Sequence, residues 1–186
     1  MKKRCSWVSE SQLYIDYHDK EWGEPVFDDE TLFEFLVLET FQAGLRWSTI
    51  LNKRAQFRIA FDNFDCHKIA KYTEYKFNLL MQDTGIVRNN LKIRSATTNA
   101  QCFIAVQKDY GSFSKFIWSY VKGKPIINEF ENSTAIPVTT VLSEIISKDL
   151  KKKGFKFVGA TIMYAYMQAI GVVKDHTTDC FKFQKK

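Results

Sequence analysis

Glycine and proline are scarce, 8 and 3 among 186 residues, and strictly alternating apolar–polar runs are few. A strand-dominated fold is poorly served by so little punctuation, whereas long 3.6-residue patterns remain and predict a mainly helical chain. Long apolar runs are missing too. Each is broken by Glu, Gln or Lys well short of the ~18–20 residues needed to cross a bilayer, so no membrane partner is expected. The basic start MKKRCSWVSES lacks an apolar segment behind it, which argues against a secretory signal. Four cysteines are too few for a disulfide framework and fit a reducing, cytoplasmic setting. No repeat, low-complexity tract or linker divides the chain, so residues 1–186 are read as a single domain with a core of its own.

Charge is present in one sign's favour: the net value is +6 and the pI near 9.0. This is a mild invitation to polyanions. Much of the excess sits in Lys2–Arg4, Lys151–Lys153 and Lys185–Lys186, where solvation explains it. The lysine run 151–153 closes an amphipathic helix over Thr140–Lys153, with Gly154 just beyond, and suits the C-terminal dipole. Residues 1–27 read as irregular or short-helical and rich in aromatics. Asp28 or Asp29 can cap a helix from Thr31, and Asp65 a short helix ending near Tyr72. Further helices are predicted over Trp47–Phe61, Lys76–Asp83, Leu91–Gln107, Phe113–Val121 and Gly159–Gly171, with a polar loop at Gly123–Pro137 and a tail from Val172.

The stretch Thr31–Leu51 stands out. Its helix is almost wholly apolar, yet Glu39 shares a face with Leu32, Phe35 and Leu36 and faces away from Glu34. A carboxylate on such a face costs several kcal/mol unless something pairs with it. After a small, flexible Gln42-Ala43-Gly44 comes Trp47, so a negative charge and an indole flank one break and could receive a flat cation. The competing reading is a core glutamate neutralised by Arg46 or Arg54, with Trp47 as ordinary packing. Thr84–Asn90 is a tight connection between two helices. Such a turn can offer backbone N–H groups and a helix N-terminus to phosphate, or can simply connect.

The two ends carry Cys5 and His18, and His176 and Cys180. Two thiols and two imidazoles make a closed tetrahedral set for zinc; buried free cysteines and surface histidines are the alternative. A metal held by four protein ligands would leave no open position, and would pin the termini without catalysing.

The motifs RCSWV (4–8), LYIDYHDKEWG (13–23), LFEFLVLETFQAGLRW (32–47), DTGIVRNNLKI (83–93), LKKKGFKFVGATI (150–162) and MQAIGVVKDH (167–176) resemble, in order, those of the 3-methyladenine DNA glycosylase I (Tag) family. The likeness runs from Arg4 to about Cys180. It implies an all-α helix-hairpin-helix DNA glycosylase fold, with N- and C-terminal segments tied together by structural zinc at Cys5, His18, His176 and Cys180. It also implies a base pocket at Glu39, Tyr17, Trp47 and Trp7, and a duplex-probing segment at Gly44 and Leu45. The family's reduced hairpin falls on Gly85–Asn90, where Gly85 and Arg88 would meet DNA. The implied partners are double-stranded alkylated DNA and free 3-methyladenine as product. One chain suffices for base flipping, so a monomer is expected.

That chemistry suits the residues. Methylation at N3 makes the nucleotide cationic and the base a good leaving group, so recognition and electrostatics carry the work. Glu39 can accept from the exocyclic amine, and aromatics can stack on the base. Other glycosylases of this superfamily use an aspartate some 20-odd residues past the hairpin, where this chain has Asp109; its polar, Gly-containing neighbours read as a surface turn. A DNA-binding module without catalysis would share the basic pI, the turn and the metal but would have no use for Glu39. A broader enzyme that also removes 7-methylguanine is the nearer alternative.

Overall fold

The computed structural model describes residues 2–185. Its helices are α1 (Gln12–Lys20), α2 (Asp29–Gln42), α3 (Trp47–Ala60), α4 (Cys66–Ile69), α5 (Glu74–Gln82), α6 (Asn90–Tyr110), α7 (Phe113–Ser119), α8 (Val141–Lys152) and α9 (Ala160–Ala169). None is long and apolar enough to cross a membrane.

Helix α2 is the hub. It packs against α3, α6, α7 and α9, and from Leu32 to Phe41 every residue except Glu34 is buried. A helix that is apolar all round can only sit inside. Its seven buried Leu, Phe and Val side chains are worth roughly 1.5–3 kcal/mol each, enough to offset one misfit such as Glu39. The start of α2 uses both candidate caps. The Thr31 N–H donates to Asp28 Oδ1 at 2.8 Å. Asp29 turns the other way and accepts from the N–H groups of Phe113 and Ser114 at 2.9 and 2.7 Å, fixing the N-terminus of α7 on the hub.

Local signals elsewhere behave as the residue chemistry requires. Asp65 accepts from the N–H groups of His67 and Lys68, Asn89 caps α6 through the Lys92 N–H at 3.1 Å, and Thr140 with Ser143 forms a reciprocal capping box. Gly154 follows α8 with φ +96°. Lys153 stacks over the Tyr110 and Phe116 rings at 4.8 and 5.4 Å, so at least this lysine serves packing.

The all-α expectation needs one correction. Ile126–Ile127 (β1) and Val173–Lys174 (β2) pair in parallel, Ile126 with Val173 and Ile127 with Lys174. The polar loop and the tail therefore hold each other in place. Two-residue strands are too short to show a period of 2.

Candidate functional site

The sequence brings four aromatic or acidic side chains from three segments onto one cavity of about 370 Å³. Trp7 and Tyr17 come from the N-terminal region, Glu39 from the last turn of α2, and Trp47 from the first residue of α3. The Tyr17 and Trp47 rings lie 5.1 Å apart at 41°, and Trp7 meets Tyr17 edge-on at 6.5 Å. Tyr14, Trp22, Gln42 and Gln168 also line the cavity, as do Ser133 and Ile136. Tyr14 and Trp22 belong to the aromatic-rich start but were not among the expected pocket residues, although their ring type was the signal that could have found them. Ser133 and Ile136 carried no signal.

Glu39 is 2% exposed, and its Oε2 has no hydrogen-bond partner. Burial alone pushes its carboxyl from 4.5 up to about 8. The core-ion-pair reading fails here. Arg54 donates to Glu34 at 2.7 Å and to Glu21 at 2.6 Å and lies over the Phe35 ring, while Arg46 is exposed in the loop before α3. Glu34, on the opposite face of α2, takes the cations and leaves Glu39 without one. The Trp47 indole Nε1–H is likewise buried and unpartnered. Two orphaned polar groups, one acceptor and one donor, therefore line one aromatic cavity. In a native interior such groups are rare and ask for a ligand that satisfies them.

Beside this cavity, Cys5, His18, His176 and Cys180 are all buried, with ligand atoms all within 4.8 Å of one another. Cys5 Sγ and Cys180 Sγ lie 3.6 and 3.7 Å from His176 Nδ1, and Cys180 Sγ lies 3.4 Å from His18 Nε2. The cluster can hold a metal ion. The outward-facing ring nitrogens are engaged: His18 Nδ1 lies 2.7 Å from Asp19 Oδ1, and His176 Nε2 lies 3.2 Å from the Trp22 carbonyl oxygen. Asp19 is itself gripped by both forks of Arg4, at 2.9 and 2.7 Å, which holds its carboxyl at about 2. Such outer partners fix imidazole orientation in metal sites. Burial holds the Cys5 thiol up at about 11 and the His176 imidazole down at about 4; a divalent cation would replace the thiol proton. The cluster touches the cavity wall through Trp7, whose ring is 5.3 Å from His18 and 4.9 Å from Trp22.

The remaining expected site residues lie outside the cavity. Gly44 has φ +76° with open space where a Cβ would go, so conformation, not room, calls for glycine there. Leu45 follows it 41% exposed, a large apolar side chain in solvent. Gly85 is a case of close approach, since a Cβ would meet Gln56 Cγ at 2.1 Å. Arg88 is exposed in the turn between α5 and α6. Asp109 is exposed in the last turn of α6 and does not line the cavity.

Residues 7–183 match the methyladenine glycosylase family. The chain belongs to that family. Among methyladenine glycosylases, it is 48% identical to the DNA-3-methyladenine glycosylase of Haemophilus influenzae over 97% of both chains. It superposes with a TM-score of 0.95 on a crystal structure of 3-methyladenine DNA glycosylase I, at 46% identity over 98% of this chain and 100% of the other. The Staphylococcus aureus enzyme, solved to explain 3-methyladenine recognition, gives 0.94 at 36% identity, covering 98% of this chain and 97% of its own. The family match thus takes in the cavity and three of the four Cys/His side chains beside it, His18, His176 and Cys180.

Proposed function

We propose that this protein is a DNA repair glycosylase that flips N3-methyladenine out of alkylated DNA and hydrolyses its N-glycosidic bond, leaving an abasic site. The observation that carries this reading is the unpartnered Glu39 carboxyl in an aromatic cavity, within a chain of the methyladenine glycosylase family. An extruded cationic base would place its flat rings among Tyr17, Trp47 and Trp7, where aromatic faces favour positive charge. Its exocyclic amine would donate to Glu39, and the Trp47 Nε1–H would donate to a ring nitrogen. The positive charge draws the raised Glu39 carboxyl toward its ionised form as the base enters. Cleavage breaks the bond between C1′ and the base and leaves the electron pair on the base, which departs neutral. Water adds at C1′ and loses a proton. The leaving group already carries its activation, so no positioned general acid is required.

Gly44 and Leu45 are read as the segment that probes the duplex, Leu45 filling the gap left by the flipped nucleotide as apolar wedges do. The α5–α6 turn at Gly85–Arg88 is read as a helix-hairpin-helix contact to the DNA backbone. At the metal cluster, zinc is the ion the donors favour. With Zn–S of about 2.3 Å and Zn–N of about 2.0–2.1 Å, a tetrahedron sets S and N roughly 3.5–3.6 Å apart, in line with the 3.4–3.7 Å separations seen here. Four protein ligands leave no place for water, so the ion would brace the cavity wall. We read the enzyme as a monomer working in the cytoplasm.

The test is release of free 3-methyladenine from methylated duplex DNA, resolved by chromatography. Metal-replete protein should release it in preference to 7-methylguanine, which presents a carbonyl where Glu39 requires an amine. No release would overturn the reading.

A further inference from the structure

Lys92 is the one lysine that is buried among the described residues, 6% exposed, and no carboxylate lies in ion-pair range of it. It occupies the third position of α6, where the helix dipole disfavours a cation. Its Nζ donates to the carbonyl oxygens of Phe41 at 2.9 Å and Ala43 at 2.6 Å. At the C-terminal end of α2 the Leu45 N–H donates to the Gln42 carbonyl at 2.6 Å, and Lys92 takes the carbonyls on either side of it. The ammonium is thus poorly placed for its own helix and well placed for another.

We propose that Lys92 is a positioning residue for base extrusion, tying the end of α2 and the 43–46 loop to the first turn of α6. The two ends it joins have different tasks. Directly before α6 lies the turn at Gly85–Asn89; directly after Ala43 come Gly44 and Leu45, and one turn before it stands Glu39. Force taken up at the DNA backbone reaches the loop through two short hydrogen bonds instead of through a flexible connection. Packing alone would be met at this depth by Met or Leu; a desolvated ammonium held only by carbonyls is the choice that fixes a loop in register. This inference rests on the reading of Leu45 as the duplex probe.

The test compares wild type with Lys92→Met, Lys92→Gln, Lys92→Arg and Leu45→Ala. Excision from methylated duplex DNA is measured beside binding of free 3-methyladenine, followed by tryptophan fluorescence. Lys92→Met and Lys92→Gln should lose at least about tenfold in kcat on duplex, the scale expected when a catalytic element is misplaced by a fraction of an ångström. KM for DNA and Kd for the free base should each change less than about threefold, because phosphate contacts and the cavity stay intact. Lys92→Arg should recover most of kcat, and Leu45→Ala should show the same split as Lys92→Met. If Lys92→Met does not fold, Lys92→Gln, which keeps a donor for one carbonyl, carries the comparison. Equal losses of kcat and free-base binding would make Lys92 a general stabiliser and overturn the proposal, as would unchanged duplex excision. Unchanged excision by Leu45→Ala would remove the duplex-probe reading and this inference with it. Failure of wild type to release base would instead overturn the proposed activity.

Discussion

Replacing Glu39 by Gln removes a titration that the folded state makes costly. Burial holds this carboxyl at about 8 against 4.5, so between those values the native protein keeps a proton that the unfolded chain has lost. The unfolded state then binds fewer protons, and stability falls as pH rises. The contribution is most favourable below pH 4.5 and bottoms out above 8. At about 1.4 kcal/mol per pH unit, the wild type loses roughly 3 kcal/mol from this one group between pH 5.5 and 8. Gln does not titrate. The difference in unfolding free energy between Glu39→Gln and wild type should therefore widen by that amount across the window, with every other titrating group cancelling. Urea unfolding in a pH series measures it directly. The same variant should release 3-methyladenine about 10–100-fold more slowly, the worth of a hydrogen bond to a charged group. Stability rises while activity falls, a combination that a structural ion pair cannot give. Parallel pH profiles, within about 0.5 kcal/mol of each other, would mean that Glu39 finds a partner in solution and would refute the reasoning.

Cys180→Ser should lose the bound metal by elemental analysis and lower Tm by about 10 °C, equivalent to roughly 3–5 kcal/mol for a chain of this length; a metal-free wild type of equal stability would exclude the zinc reading. Arg54→Met should destabilise by about 2–3 kcal/mol in denaturant, because Glu34 is left half-buried with only the exposed Arg58, while free-base binding should change little. Gly171→Ala should cost more than about 2 kcal/mol, since its φ is +71° and a Cβ would meet the Glu24 carbonyl at 2.4 Å. Gly44→Ala meets open space and should cost only the conformational strain, about 1 kcal/mol.

Burial of Glu39 was legible from helical period alone, because its angular position among Leu32, Phe35 and Leu36 decides its face. Its partner was not. Periodicity puts Glu34 and Glu39 on opposite sides of α2, but only the packing of α1 and α3 on that helix decides which one Arg54 meets, and it meets Glu34 and Glu21. The Cys/His set was legible as a donor inventory, and its convergence depended on contacts across more than 150 residues. Caps that act within four residues, at Asp28 and Asp65, were anticipated, and those at Asn89 and Thr140 were not named although the same local signal was there; the inward turn of Asp29 toward α7, 84 residues away, had no local signal. Lys92 went unremarked in the sequence for the same reason. Nothing within α6 distinguishes it from a solvated lysine, and its two acceptors belong to a helix some 50 residues earlier.

The pairing of Cys5 with His176, 171 positions apart, also sets a timetable. Trp7 and Tyr17 precede His176 by more than 150 residues, so the cluster beside them lacks two of its four donors until His176 and Cys180 leave the ribosome. The hub helix can meet α3, α6 and α7 well before that, while its packing against α9 comes only shortly earlier. A growing chain thus gathers the earlier part of its core before its cavity wall is complete, and a chain that stops before His176 would lack half of the donor set beside the cavity.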